Sequence, residues 1–214
     1  MIPLAQAVGP VLRGRVLFAV PTRTPRFALT VDDGPDPATT PALLDVLARH
    51  GARATFFLLG ERVERHPDLA RRVVDAGHEL GNHTWRDEPT WQLPEAAFRA
   101  SLGATQELLG ALGPVRWFRP GSGWPTAPHL AIARETGLRC ALGSAVAVAG
   151  SGAGTAGTAP WLDAVVRRGS VLVLHEGAGR AAVAATTAGL LARTTRRGLT
   201  AVTLSDLAHP DPRR

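Results

Sequence analysis

The sequence predicts a single α/β domain in which about seven parallel strands alternate with helices. Short apolar runs alternate with stretches of helical spacing from Phe27 to Leu204. Glycine stands just past helical stretches at Gly51, Gly77 and Gly113, where left-handed backbone lets a chain leave a helix. Polar residues gather where the strands end: Asp32-Asp33 after the first, His83 after the third, Arg119 after the fourth and His175 after the sixth. Parallel α/β folds collect their chemistry at the carboxyl ends of strands. The alternation itself fits a closed barrel and a doubly wound open sheet equally well.

The elements follow in order. Residues 1–26 read as a packed helix or an N-terminal arm, 27–207 as the domain, and 208–214 as a tail. Strands are expected at 27–31, 54–59, 79–82, 116–118, 139–143, 171–174 and 199–204, each apolar and mostly bounded by polar or glycine residues. Helices are expected at 40–50, 61–76, 94–112, 126–136, 159–168 and 181–197, where apolar residues recur every three to four positions. Residues 144–159 break the rhythm. Small residues dominate there without periodicity, and a mobile loop is expected.

Composition narrows the function classes. The chain has 214 residues, with 24 basic side chains against 18 acidic ones, and every basic one is arginine. With 45% hydrophobic residues it can bury a core, which excludes disorder. Its single cysteine, Cys140, makes no internal disulfide and no cysteine-rich zinc site, and it reads as an inert core residue. No apolar run is long enough for a membrane span. The net charge of +6 invites a nucleic-acid reading. However, the arginines form no long basic run, and their densest spots are pairs on expected helices or at their ends, so a solvated surface that suits an anionic substrate is expected, with no nucleic-acid partner. The basic residues near the start follow an apolar stretch rather than precede it, which is not the order of a secretory signal. A cytoplasmic location is the resulting expectation.

The chemistry rests on a few side chains. Asp32 and Asp33 are adjacent at a strand end, and neighbours in an extended chain point to opposite sides. One carboxylate can then bind a cation while the other faces a reacting group; a plain turn at Asp33-Gly34-Pro35-Asp36 is the bland alternative. His83 and Asp87 are four apart, on one face of a helical turn. With Asp33 they make a three-ligand divalent site that leaves a position open. His175, closing a buried strand beside other polar groups, suits acid–base work. Arg119 is placed to pair with Asp32 and hold it ionised. His50, His66, His129 and His209 lie at helix ends or in the tail, and His78 is expected to fix the turn before His83. Trp85 and Trp124 can stack on a sugar ring, or fill the core.

These residues resemble the motifs of the polysaccharide deacetylase family, the carbohydrate esterases with a NodB homology domain. Thr30-Val31-Asp32-Asp33-Gly34-Pro35 is similar to its first motif, Gly81-Asn82-His83-Thr84-Trp85 to its second, Phe118-Arg119-Pro120 to its third and Leu172-Val173-Leu174-His175 to its fifth. The resemblance spans residues 27–207. It implies a distorted (β/α) barrel and metal-dependent removal of an N-acetyl group from an amino sugar or a small N-acylated metabolite. By the same resemblance Asp32 is the general base, Asp33 and His83 are metal ligands, Arg119 orients Asp32, and His175 is the general acid. Leu172 lines the acetyl pocket, Ser122 with Gly121 offers an N–H to the oxyanion, and Trp85 and Trp124 contact substrate.

Two departures stand out. Asp87 takes the place where the family's second motif ends in histidine. Zinc is the first expectation for the metal, while this added carboxylate brings manganese, cobalt and magnesium into range. The acidic and aromatic residues of the family's fourth motif are missing from 144–159, with Asp163 or Glu176 as substitutes. Hydrolysis of another non-peptide C–N bond, or a binding or scaffold protein with a degenerate site, are the competing classes.

Overall fold

The computed structural model describes residues 16–121, 124–146 and 165–209. In chain order the elements are β1 (Val16–Leu17), β2 (Arg26–Gly34), α1 (Thr40–Arg49), β3 (Thr55–Leu58), α2 (Gly60–Arg65), α3 (Pro67–Asp75) and β4 (Glu79–Asn82). A 3-10 turn (Thr90–Gln92), α4 (Glu95–Gly110), β5 (Val115–Phe118), α5 (Ala127–Glu135), β6 (Arg139–Ala141) and β7 (Ala145–Val146) come next. The chain ends with β8 (Val171–His175), α6 (Val183–Arg196), β9 (Thr200–Val202) and α7 (Leu204–Ala208).

The strands form one sheet in the order β1-β6-β5-β4-β3-β2-β8-β7, with β9 on β2. Every ladder is parallel, as strand–helix–strand crossovers require. β2 carries three partners. Its first half pairs with β9 and its second half with β3, while β8 runs along the opposite edge. The β1–β6 and β7–β8 edges are not joined by a ladder among the described residues. Instead an isolated antiparallel bridge links Ala19 to Ser170, and the Ser144 N–H donates to the Val171 carbonyl at 2.9 Å. This is a parallel half-barrel, the distorted form of the expected architecture.

Alternation along the strands assigns the two faces. Phe27, Leu29 and Val31 of β2 point outward and share a buried cluster with Leu43 and Leu47 of α1 and Leu190 of α6. Ala28 points inward with Phe57, Trp117 and Val171, and Thr30 and Asp32 follow it on the same face by the two-residue period. Tight inward packing needs glycine at Gly81, because a Cβ there would stand 2.5 Å from the Phe57 ring.

Several boundaries differ from the sequence reading. Val16–Leu17 is an edge strand rather than part of a helix, paired with Cys140 and Ala141; residues 1–15 lie outside the described residues. The helix expected at 61–76 is two helices that meet at His66, because Pro67 cannot continue a helix and forces His66 out of the helical region. Within 144–159, Ala145–Val146 forms β7 against Leu172 and Val173; the remainder, and most of the helix expected at 159–168, lie outside the described residues. The last strand ends at Val202 because Thr203 caps α7, its hydroxyl accepting from the Asp206 N–H at 3.1 Å.

Candidate active site

Four strand ends supply the polar cluster. Asp32 ends the inward row of β2 and is 2% exposed. Arg119, just past β5, donates from Nη1 to Asp32 Oδ1 at 2.5 Å and to Thr30 Oγ1 at 2.8 Å, and from Nε to the Ala141 carbonyl at 2.9 Å. Its guanidinium lies 4.1 Å from the centre of the Phe57 ring, a favourable cation–π placement. These contacts fix Asp32 Oδ1 and leave Oδ2 toward His175, whose Nε2 is 4.0 Å away. The His175 side chain is 31% exposed, so it faces the opening of the site.

Asp33 does not point away from Asp32 as an extended strand would dictate. Its φ is +70°, and the β2–β3 register shifts between Asp32 and Gly34. That left-handed kink turns the second carboxylate into the same site. Its Oδ1 lies 3.3 Å from His83 Nε2, and Arg180 Nη1 donates to its Oδ2. Thr84, directly after His83, also has positive φ, +66°. Left-handed backbone at a non-glycine residue costs about 1–3 kcal/mol and persists where the surroundings impose it. Here the Thr84 N–H donates to Asn82 Oδ1 at 2.9 Å and its hydroxyl donates to the His83 carbonyl.

The electrostatics follow from this geometry. Burial alone pushes the Asp33 carboxyl up, but the hydrogen bond and charge of His83, the Arg180 hydrogen bond and the charge of His175 hold it well below the usual carboxylate range. Burial pulls His83 down, while its bond to Asp33, the charges of Asp32 and Asp33 and the Arg119 carbonyl outweigh this and raise it. His83 Nδ1 sits 2.8 Å from the Arg119 carbonyl. A carbonyl only accepts, so Nδ1 carries a proton and Nε2 is the nitrogen turned to Asp33.

A carboxylate and an imidazole facing one point, with the imidazole oriented by a backbone carbonyl, are the donor chemistry of a divalent cation. Asp33 and His83 therefore fit two positions of such a site. Asp87 is exposed, whereas Asp33 and His83 are buried, and no group of three His, Cys, Asp or Glu side chains that could hold a metal occurs among the described residues. The segment from His83 to Asp87 is not helical, so the spacing of four does not put the two side chains on one face.

The expected substrate residues scatter. Leu172 packs outward in the helix-facing core with Leu29 and Leu174, which corrects its place in an acetyl pocket. By the alternation of β8 it is Val173, buried, that shares the face of His175. The Trp85 ring lies where a Cβ on Gly60 of α2 would be, beside Thr105 of α4, while Trp124 is 5.9 Å from Phe18 near β1. The two indoles thus fill separate regions. Ser122 lies outside the described residues; its neighbour Gly121 is held through its carbonyl, which accepts from the Thr90 N–H and hydroxyl at 3.3 and 3.1 Å.

Other titratable groups are structural. His78 Nδ1 accepts from the Ala54 N–H at 3.3 Å, and burial, aided by the Arg53 charge, pulls its pKa down to about 4. Burial pushes the Cys140 thiol up to about 12 against the Arg119 charge. Glu176 turns away from the acid–base side: Thr39 and Thr40 donate to its Oε2 at 3.0 and 2.7 Å, and its Oε1 presses on Gly34. It is not a partner standing in for the fourth motif; Asp163 lies outside the described residues.

Burial, opposed by those two hydroxyls and joined by the Asp36 charge, raises Glu176 to about 7. A raised carboxyl stabilises the fold below its unfolded pKa, and that contribution is lost as pH rises from about 4.5 to about 7. Glu176→Gln removes this dependence. The variant's stability relative to wild type should improve by up to about 3 kcal/mol between pH 4.5 and 8, read by urea unfolding; an unchanged difference between the two pH values sinks the assignment.

Known proteins resemble this chain in both sequence and fold. The polysaccharide deacetylase profile matches residues 19–141. A peptidoglycan-N-acetylglucosamine deacetylase of Bacillus cereus is 32% identical over 208 residues, covering 91% of this chain and 93% of that protein. Another from B. cereus is 41% identical over 95 residues, and there the match takes in 44% of this chain but only 34% of that longer protein. A solved peptidoglycan N-acetylglucosamine deacetylase in complex with 4-naphthalen-1-yl-N-oxidanyl-benzamide superposes with a TM-score of 0.88 at 28% identity, covering the whole of both chains. With a profile match over more than half its length and a relative alike along almost all of it, the chain belongs to the polysaccharide deacetylase family.

Proposed function

We propose that this protein is a metal-dependent hydrolase that removes the N-acetyl group from an amino sugar in a saccharide, with the N-acetylglucosamine units of peptidoglycan as the first substrate class to test. The observation that carries the reading is Asp32, buried, tied through Oδ1 to Arg119 and facing His175 across 4.0 Å through Oδ2. Its relatives named above act on N-acetylglucosamine in peptidoglycan, which supports the substrate class.

Asp32 Oδ2 accepts the proton of the attacking water as its oxygen bonds to the acetyl carbon. Arg119 keeps that carboxylate aimed. The C–N bond then breaks, His175 gives its proton to the departing amine, and acetate is the other product. Asp33 and His83 would hold a divalent cation, zinc first, with manganese, cobalt or magnesium as alternatives; when bound it polarises the acetyl oxygen and lowers the pKa of water.

Purified protein should release acetate from peptidoglycan or N-acetylglucosamine oligomers after loading with one of these metals, and chelation should stop it. Metal binding without acetate release from any N-acetylated saccharide would move the reading to another C–N bond. No metal binding at all would favour a binding or scaffold role.

A further inference from the structure

The loop after β8 brings a residue into the site that no motif contains. Arg180 follows Gly177 and Gly179, which have φ of +113° and +78°, and the loop is pinned by the Arg180 N–H donating to the Gly177 carbonyl at 3.0 Å. Its Nη1 donates to Asp33 Oδ2 and, at 3.1 Å, to the Glu176 carbonyl. Both oxygens of Asp33 are therefore engaged, one toward His83 and one by a guanidinium. Arg180 is also a third exposed, so it can leave toward solvent.

A divalent cation between Asp33 and His83 needs the negative charge that Arg180 now neutralises, and two positive groups on one buried carboxylate repel. A guanidinium stays protonated at any working pH, so it leaves only by moving. We propose that Arg180 is a built-in competitor for the cation at Asp33, one that weakens metal binding and swings out when metal occupies the site. This rests on the metal-dependent reading of Asp33 and His83.

The test is metal affinity rather than turnover. Chelator-stripped wild type, Arg180→Gln, Arg180→Ala and Asp33→Asn would be titrated with Zn and Co by calorimetry and chelator competition. Both Arg180 variants should bind at least 10-fold more tightly than wild type, and metal should raise their Tm by more. Gln keeps most of the side-chain volume, so a folding defect confined to Ala leaves the comparison intact. Equal or weaker affinity in the Arg180 variants overturns the competition while leaving the metal site standing. Binding that survives Asp33→Asn, or no binding by any variant, overturns the site itself and this inference with it.

Discussion

Asp32→Asn should lower acetate release by about 10^3-fold or more while metal occupancy is retained. Asparagine keeps the shape and can still accept from Arg119 through its oxygen, but its amide cannot take a proton from water. General-base catalysis contributes about 10^2 to 10^4 in rate, so most of the base's contribution disappears. The substitution does not touch Asp33 or His83, which separates loss of the base from loss of the cation. Wild-type turnover in the asparagine variant would remove Asp32 from the mechanism. Lost metal together with lost turnover would make Asp32 a structural support of the neighbouring pair instead.

The legibility of the sequence tracked the physics of each signal. Strand ends and helix stops are readable because apolar periodicity and glycine act locally, and they place Asp32, Asp33, His83, Arg119 and His175 at one end of the sheet. What failed depended on geometry that residue spacing does not encode. The motif puts Leu172 in the acetyl pocket, yet counting back by two from His175 leads to Val173. The spacing of His83 and Asp87 suggests a helical turn, but Thr84 turns left-handed and the segment leaves the helix geometry at once. The same left-handed conformation at Asp33 brings two adjacent carboxylates into one site, which an extended strand cannot do. Arg180 is not legible in the sequence because nothing there separates it from the other surface arginines; the positive φ of Gly177 and Gly179 that folds the loop back is a property of the structure. Pro67 was a plain signal in the sequence, and it divides a helix that apolar spacing alone makes continuous.

Arg119→Met should cost about 3–5 kcal/mol of stability, because it leaves Asp32 buried without its counter-charge. Arg119 is 4% exposed, and its guanidinium ties together Thr30, Asp32 and the Ala141 carbonyl, so the loss reaches three strands. Lysine does not rescue it well, since a single ammonium lacks the planar fork that meets these acceptors together. Asp32→Asn alone leaves the opposite charge stranded and should cost about 3 kcal/mol or more for the same reason. If each penalty is mainly an uncompensated buried charge, combining them removes both charges at once. The double variant Asp32→Asn with Arg119→Met should then be no less stable than Arg119→Met alone, a coupling of about 3 kcal/mol or more. Denaturant unfolding of the four proteins measures it. Strict additivity would mean that the pair is held apart by water or by the surrounding carbonyls. In that case orientation of the base would fall to Thr30 and the backbone rather than to the ion pair, and Arg119→Met would retain most of its turnover.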